Sequence, residues 1–264
     1  NDGLDDTDAV QAALDAAGAN GGGTVLIPRG RFEINDPLRI PRFVLLKGAG
    51  MKLSQLYWRD TPEPFEALIY AANSFGIEDL SIMAANHRYG ILADRDTPDA
   101  GQVTLRRLYL YLNRFMQLSA EQAAKRFLPM PWEHAICVGG ENVQVTDCEV
   151  FSSRSPFGLG FGGGLRNSVI RNNRFFEGDS AHVIAGEGII FEDNVIEGGP
   201  TGRGGGDYTS RMYFARNTVG GMSLHDGECF TAPVRNSVTA RGGCTPVSVA
   251  GAGRSEGSGS RGGV

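Results

Sequence analysis

Apolar residues near the start of the chain change from a helical spacing to an alternating one. One helical face is formed by Val10, Ala13, Leu14 and Ala17, and Gly18 follows it. Short segments of period two come next, separated by Gly or Pro, at residues 24–27, 31–34, 38–40 and 43–46. No second long helix follows, so the pattern predicts one short helix feeding a series of strands and excludes an alternating βαβ chain.

The helix has local causes at its first turn. Asp5 and Asp6 favour the positive end of the helix dipole, and Thr7 or Asp8 is predicted to cap it. Adjacent carboxylates are also compatible with a metal site or an acid pair. At a helix N-terminus, capping and dipole stabilisation are the preferred interpretation.

The same segment resembles the entry segment of the pectate-lyase-like right-handed β-helix superfamily. The residues that carry the resemblance are Asp2-Gly3, Asp5-Asp6-Thr7, Gln11-Ala12-Ala13, Gly21-Gly22-Gly23-Thr24-Val25, Pro28-Arg29-Gly30, Pro37-Leu38, Ile40-Pro41 and Leu46-Lys47-Gly48-Ala49-Gly50. The resemblance implies an all-β fold, a single-stranded right-handed parallel β-helix whose short N-terminal helix caps one open end. It implies architecture and no particular chemistry, because active sites in that superfamily lie further along the coil.

A repeat typical of a parallel β-helix appears later in the chain. Four segments superimpose without gaps on a frame of alternating apolar and polar residues, and a fifth follows them. The frame positions are Cys148, Asn173, Asn194, Asn217 and Asn236. Their spacing of about 19 to 25 residues suits one turn of a coil in which each repeat stacks on the one before. The asparagines are predicted to form a buried amide ladder at a tight bend, with a structural role and no ligand role.

Two earlier segments, residues 75–82 and 103–110, also read as coils and are offset by about 28 residues. We therefore assign residues 1–250 to one β-helix domain. Residues 251–264 lack apolar periodicity and read as a flexible tail rich in Gly and Ser. The repeat fades before that tail without an evident cap, so either the natural chain continues or a second copy of the chain covers the end.

The charge and composition of the chain argue against some classes of function. The chain has 264 residues and a net charge of −5, which argues against nucleic acid as a partner because phosphate binding needs a basic excess. It has no apolar run of about 18 residues, so no membrane span is predicted. Cys137 and Cys148 fall in strand-like segments and are predicted to be buried free thiols, whereas Cys229 and Cys244 are candidates for a disulfide.

Polar residues collect just before the strand of each coil that is typified by residues 134–138. If the Asn frame marks one bend, this location is the other, longer connection. The candidate catalytic residues there are Arg154, Asp179, His182, His225, Asp226 and Glu228. The candidate substrate-binding residues are Trp132, His134, Arg203, Asp207 and Tyr208. Coils stacked at about 4.8 Å would align them in a row of about 19 Å, which suits an extended polymer. Solvent-facing loops that are polar without function are the alternative.

Two mechanisms compete for this row. A lyase acting on a uronate polymer needs a base for the proton α to the carboxylate and positive charge for the developing enolate. His182, His225 or Tyr208 would transfer protons, and Arg154, Arg203 or a calcium ion would neutralise the charge. A glycoside hydrolase needs two carboxylates instead. The candidates for that pair are Asp179, Asp207, Asp226 and Glu228.

Subfamily signatures of the superfamily are mostly missing. The polygalacturonase motifs Asn-Thr-Asp, Asp-Asp, Gly-His-Gly and Arg-Ile-Lys do not occur in the later coils. Arg154-Ser155-Pro156 resembles the first half of the Arg-x-Pro-x-x-Arg element of pectate lyases, but Leu159 replaces its second arginine. A secreted branch of the superfamily is similar around residues 225–231 without implying a reaction.

The sequence therefore predicts a secreted or cell-surface protein that binds a polysaccharide and cleaves it along one face. A lyase is favoured over a hydrolase because His and Arg are interleaved with the acids. A tailspike-like or fibre-like β-helix that only binds glycan is the non-catalytic alternative. Calcium is the candidate cofactor, and a homo-oligomer is the candidate assembly.

Overall fold

The computed structural model describes one α-helix and a succession of short parallel strands. The described residues are 4–61, 65–85, 87–93, 101–112, 135–152, 157–161, 165–176, 180–197, 203–211, 213–219, 221–222 and 237–238. The first elements are α1 (Thr7–Ala19), β1 (Gly23–Ile27), β2 (Gly30–Ile34), β3 (Leu38–Ile40), β4 (Val44–Gly48), β5 (Ser54–Trp58), β6 (Phe65–Ala71), β7 (Phe75–Ala84), β8 (His87–Ala93) and β9 (Val103–Leu112).

The later strands are shorter. They are β10 (Ile136–Cys137), β11 (Gly140–Glu141), β12 (Gln144–Thr146), β13 (Glu149–Ser152), β14 (Phe157–Phe161), β15 (Leu165–Arg166), β16 (Val169–Arg171), β17 (Arg174–Phe176), β18 (Ser180–Glu187), β19 (Ile190–Glu192), β20 (Val195–Glu197), β21 (Arg203–Ser210), β22 (Tyr213–Ala215), β23 (Thr218–Val219), β24 (Gly221–Met222) and β25 (Ser237–Val238). Every printed pairing between these strands is parallel, so the chain coils as a right-handed parallel β-helix, as the sequence predicts.

The strands stack into sheets that form the sides of the coil. Face I consists of β1, β4, the first halves of β7 and β9, then β12, β16, β19 and β22. Face II consists of β2, β5, the second halves of β7 and β9, then β13, β17, β20, β23 and β25. Face III consists of β3, β6, β8, β10, β14, β18, β21 and β24, and the short strands β11 and β15 join it by pairing with the end of β18.

The core is a set of ladders in which one apolar side chain per coil stacks on its register partner. On face I the ladder is Val25, Leu46, Ile77, Leu105, Val145, Ile170 and Phe191, all buried. On face II it continues through Leu56, Ile82, Leu110, Val150, Phe175 and Ile196. Burying one such side chain contributes about 2 kcal/mol, so the strands are held mainly by these stacks.

Helix α1 closes the first open end of the coil, as the sequence predicts. It packs against β1, β3 and β4, and Val10 and Leu14 are buried in the main core. Ala13, which the helical spacing assigned to the apolar face, is exposed, and Thr7 is buried instead.

The first turn of α1 is secured differently from the sequence prediction. Neither Thr7 nor Asp8 caps the helix, because Asp6 is the N-cap residue and makes no side-chain capping bond. The backbone N–H of Thr7 donates to Asp5 Oδ1 at 2.9 Å, and the Asp6 carboxylate accepts from the backbone N–H of Glu33 at 3.0 Å. Both carboxylates thus hold the helix to the first coil, which agrees with a structural role for this acid pair.

From β7 onward, the bend between faces I and II is centred on one residue in the left-handed conformation, whereas residues 28–29 and 49–53 form it in the first two coils. That residue is Asp79, Arg107, Asp147, Asn172, Asp193 or Arg216 in successive coils. The asparagine that follows it points inward: Asn173, Asn194 and Asn217 are all 0% to 1% exposed. The amide ladder is therefore confirmed, but the left-handed residue is the one before each ladder position, not the ladder asparagine. Asn236 lies outside the described residues, although the pairing of Thr218 with Ser237 continues the same register.

The two segments read as early coils are confirmed, since Phe75 pairs with Val103 and the register runs unbroken to Ala84 and Leu112. Phe43, counted as a strand residue from its pattern, instead occupies the turn before β4 with φ 61° and is exposed. Cys137 and Cys148 are buried free cysteines, as expected, while Cys229, Cys244 and residues 251–264 lie outside the described residues. None of the helices in the described part of the chain is long and apolar enough to cross a membrane.

Candidate active site

The longer connections of the coil join face II to face III. The chain leaves face II at Leu112, Ser152, Phe176 and Glu197, and re-enters face III at Ile136, Phe157, Ser180 and Arg203. The intervening segments lie outside the described residues. Because the bend between faces I and II is short from β7 onward, this other corner is where segments of different length can be accommodated, as the sequence predicts.

The structure places the described candidate residues inside strands and not in the loops before them. His182 is the third residue of β18, and Arg203, Asp207 and Tyr208 belong to β21. This corrects the sequence interpretation. The reason is that parallel pairing extends toward the corner: Ser180 pairs with both Phe157 and Arg203, which lengthens β18 and β21 by several residues.

The register brings three of these positions together. His182 pairs with Gly205, which lies two residues from both Arg203 and Asp207. Parallel strands are about 4.8 Å apart and rise about 3.3 Å per residue, so the backbone positions of Arg203 and Asp207 are each about 8 Å from that of His182. Positions two apart on a strand, and register partners on neighbouring strands, share a face of the sheet. Tyr208 directly follows Asp207 and takes the alternate position.

The face shared by these positions is identified by the earlier strands. His182 pairs with Gly160, Gly160 with Cys137 and Cys137 with Leu92, and Leu92 in turn pairs with Tyr70. Tyr70 and Leu92 are partly exposed, and their neighbours Ile69 and Ile91 fill the core. The His182 position therefore continues the outer row of face III.

The other candidates lie outside the described residues. They are Trp132, His134, Arg154, Asp179, His225, Asp226 and Glu228. Their catalytic or substrate-binding roles remain predictions. In the chain order, Asp179 immediately precedes β18, and residues 132–134 precede β10.

His87 is a residue that the sequence interpretation missed. It opens β8 at the same corner, is 1% exposed, and neither ring nitrogen has a hydrogen-bond partner among the described residues. Burial lowers the pKa of His87 to about 3, so the imidazole is neutral at physiological pH. In the sequence His87 lies between Asn86 and Arg88, and no pattern there predicts that it is buried.

Face II carries a second feature without a clear signal in the sequence, a stack of aromatic rings beside the same corner. The rings of Phe151 and Phe176 are 4.4 Å apart and nearly parallel, at 12°. Tyr109 and Tyr111 extend the stack across β9, and Arg174 lies 4.8 Å from the centre of the Phe176 ring. Stacking between successive coils stabilises the outer surface on which the longer connections begin.

A metal site at the proposed groove needs several His, Cys, Asp or Glu side chains close together. Within the described ranges, no group of three or more His, Cys, Asp and Glu side chains is arranged to hold a metal ion. Two acidic side chains at the bend between faces I and II, Asp79 and Asp193, are instead paired with arginines, and a third, Asp147, accepts from Asn172. Asp79 accepts two hydrogen bonds from Arg107, at 2.5 and 2.7 Å, and this contact lowers the pKa of the carboxyl. Calcium therefore stays a prediction for the rest of the chain.

Comparison with known proteins supports the fold. No protein-family model matches the chain. Among solved structures, the A-module of the mannuronan C-5 epimerase AlgE4 from Azotobacter vinelandii superimposes with a TM-score of 0.52 at 18% identity, covering 85% of this chain and 67% of that one. The architecture is that of the parallel β-helix proteins. A closer relation to pectate lyases remains a prediction.

A second solved β-helix gives the same result. The DFA-IIIase of Arthrobacter chlorophenolicus A6, in complex with DFA-III, superimposes with a TM-score of 0.54 at 12% identity and covers 80% of this chain and 56% of that one. At such identities the likeness establishes the fold alone.

One curated protein is similar in sequence. Alginate lyase 7 of Azotobacter vinelandii is 38% identical to this β-helix over 91 residues, which is 30% of this chain. The match covers 11% of that protein's length, so the chain corresponds to a small part of it.

Proposed function

We propose that this β-helix is a carbohydrate-active enzyme that cleaves an acidic polysaccharide of the alginate type by β-elimination. The observation that carries the proposal is the 38% identity over 91 residues to an alginate lyase. Two independent features support it. One is the β-helix scaffold, and the other is a histidine position whose register partner, Gly205, lies two residues from an arginine and from an aspartate position.

The chemistry required by β-elimination fits these residue types. A base removes the proton at C5, α to the carboxylate, and the resulting electron pair forms the C4–C5 double bond as the C4–O bond breaks. We assign His182 as the base and Arg203 as the cation that holds the carboxylate while negative charge develops on it. The leaving oxygen takes a proton from a second group, for which His225 and Tyr208 are the candidates.

The deciding experiment is incubation with alginate, other polyuronates and neutral glucans, with added calcium or with a chelator. Unsaturated-uronate absorbance and new reducing ends are followed together. We expect both to rise on a polyuronate. Reducing ends without absorbance would replace the lyase with a hydrolase, and altered uronate configuration in the polymer without cleavage would replace it with an epimerase. Binding without any of these reactions would support the non-catalytic alternative.

Variants test the assignment of residues. His182→Ala and Arg203→Ala are expected to reduce kcat/KM by at least about 100-fold, the scale of a lost proton-transfer or charge-stabilising group. Arg211→Ala is the matched control, because Arg211 directly follows β21 and is paired with the exposed Glu187. Full activity in His182→Ala would overturn its role as the base.

We further infer that the protein works outside the cell or at its surface, because a polysaccharide of this kind is too large to be taken up before cleavage. Detection of the protein in culture medium or in a surface fraction tests this. Retention of the protein with cytoplasmic markers would contradict it.

A further inference from the structure

A cleft of about 700 Å³ lies on the outside of face III, where its first strands meet helix α1. Its polar lining comes from Asp15, Arg39, Glu66 and Tyr70, and Leu92 and Pro41 contribute apolar surface. This volume lies within the range of about 300 to 1,000 Å³ that is usual for small-molecule sites.

The arginine of the cleft is held in place and forms no salt bridge with a described carboxylate. β3 pairs with β6 so that Arg39 faces Tyr70, and the guanidinium carbon lies 4.7 Å from the centre of the Tyr70 ring. The Gln11 side chain fixes the Arg39 backbone by two hydrogen bonds, at 2.8 and 3.0 Å. Throughout the described part of the chain, no carboxylate forms a salt bridge with the Arg39 guanidinium.

The neighbouring groups complement this cation. The hydroxyl of Tyr70 donates to Glu66 Oε2 at 2.9 Å, and burial together with that carboxylate raises the pKa of Tyr70. Glu66 and Asp15 are exposed and retain free acceptor sites. Asp15 also accepts a hydrogen bond from Gln11 at 2.8 Å. The cleft thus combines one guanidinium that has no salt bridge among the described residues, two carboxylates that can accept from sugar hydroxyls, and an apolar floor.

The cleft is on the same row as the proposed catalytic position. Tyr70, Leu92, Cys137, Gly160 and His182 are successive register partners across face III. Four steps of about 4.8 Å separate β6 from β18, so the cleft is about 19 Å from His182 along the coil axis. Cys137 is buried between them, so a ligand bridging the two sites passes over the groups that cover that strand.

We propose that this cleft is a remote subsite that binds one uronate unit of the polysaccharide substrate. The sugar carboxylate binds the Arg39 guanidinium, sugar hydroxyls donate to Glu66 and Asp15, and the C–H face of the sugar packs on Leu92 and the edge of Tyr70. This inference rests on the proposed function for its substrate class. It extends that function by assigning the recognition of chain length to residues far from the reaction.

The test compares a long polyuronate with the shortest oligosaccharide that is turned over. In Arg39→Met, KM for the long polymer is expected to rise at least fivefold with kcat unchanged, and both constants for the short substrate are expected to stay at wild-type values. Arg29→Met is the control, because Arg29 is an exposed arginine in the turn between β1 and β2. An Arg39→Met variant that is fully active on the long polymer, or equally impaired on both substrates, would overturn the subsite.

Binding separates this inference from the proposed function. Calorimetric titration of the His182→Ala variant with a polyuronate of defined length measures the affinity of binding without turnover. Weaker binding after the further change Arg39→Met supports the subsite even if the wild-type protein cleaves nothing. Equal affinity with and without Arg39 rejects the subsite even if the protein proves to be a lyase. A neutral glucan that binds as tightly as the polyuronate rejects recognition of the carboxylate.

Discussion

The Asn194 side chain donates a hydrogen bond from Nδ2 to Oδ1 of Asn217 at 3.0 Å, and both side chains are buried. Nδ2 of Asn194 also donates to the Ile170 carbonyl at 3.0 Å, and its Oδ1 accepts from Asn173. One amide therefore joins successive coils at the bend between faces I and II. Because the ladder is satisfied only when every member is present, its removal leaves several buried groups unpaired.

We expect Asn194→Ala to lower the free energy of unfolding by about 3 kcal/mol, since it removes bonds from buried donors and acceptors on neighbouring coils. Chemical denaturation monitored by circular dichroism measures this. The control is Asn172→Gly, one residue before a ladder position, where glycine keeps the left-handed conformation and only the exposed bond to Asp147 is lost. A loss below about 1 kcal/mol in Asn194→Ala would contradict the ladder's contribution.

Cys148 occupies the ladder position of the preceding coil. Its backbone N–H donates to Asn173 Oδ1 at 3.0 Å, and its thiol lies 3.7 Å from the Leu105 carbonyl, the counterpart of the carbonyls that the asparagines bind. We expect Cys148→Asn to extend the ladder and to unfold at a temperature at least as high as wild type. Cys148→Ala is expected to cost about 1 kcal/mol. Thermal unfolding of both variants measures the difference. A Cys148→Asn variant less stable than Cys148→Ala would show that position 148 is not equivalent to the asparagine positions of the ladder.

Burial also raises the pKa of the Cys148 thiol to about 12. The native protein is therefore expected to leave Cys148 unmodified by a thiol reagent at pH 8 and to expose it on unfolding. Mass mapping of the modified peptide before and after denaturation checks this, and rapid labelling in the native state would show that the coil opens locally.

His87 makes stability depend on pH. Its folded pKa of about 3 is far below the ordinary value of 6.5, so between these values the unfolded chain binds a proton that the folded chain does not. The contribution of neutral His87 to the free energy of unfolding is fully present above pH 6.5. As the pH falls below that value the contribution is lost, at a rate approaching about 1.4 kcal/mol per pH unit. His87→Leu is expected to flatten this slope, measured by urea unfolding at pH 7.5, 5.5 and 4.5. If the free energy of unfolding depended on pH equally in both proteins, His87 would bind its proton as well in the folded chain as in the unfolded one.

Asp79 makes the stability of the protein depend on pH at more acidic values than His87 does. Its hydrogen bonds with Arg107 lower its pKa below 3.8, so its contribution is present above that value and is lost as the pH falls through the folded pKa. We expect Asp79→Asn to destabilise the protein by about 1 kcal/mol at pH 7, and the effect to shrink progressively as the pH falls below 3.8. Asn tolerates the left-handed backbone that Asp79 adopts. Denaturation at pH 7 and at several values below 3.8 measures the difference, and an effect independent of pH over that range would contradict the contribution of the ionised carboxylate.

Much of the fold follows from local pattern. The alternation of apolar and polar residues specifies which side chains enter the core ladders, and the recurrence of asparagine at 173, 194 and 217 specifies the bend at which they stack. These features repeat at each coil, and each coil packs on its neighbours. The repeated pattern is therefore enough to predict how successive coils stack.

The candidate site follows from the sequence less completely. The sequence places polar residues near the corner between faces II and III, but it does not locate the start of β18 and β21. Whether His182 belongs to a loop or a strand depends on pairing with residues about 22 positions away along the chain, Gly160 and Gly205. A shift of one residue in that register would move the position to the other face of the sheet.

The sequence by itself determined the core ladders and the asparagine bend of a coil repeat, because each depends on residue type at a short, repeated spacing. The right-handed β-helix with a helix at its end followed from the resemblance of the first fifty residues, and the helix itself from its apolar spacing. Only the tertiary structure decided that His182, Gly205 and the positions beside it share one row with Tyr70 and Arg39. It also decided that His87 is buried and that its ring nitrogens have no hydrogen-bond partner among the described residues. These relationships join residues from different coils, and they are fixed by strand register and by packing, which no local pattern in the chain encodes.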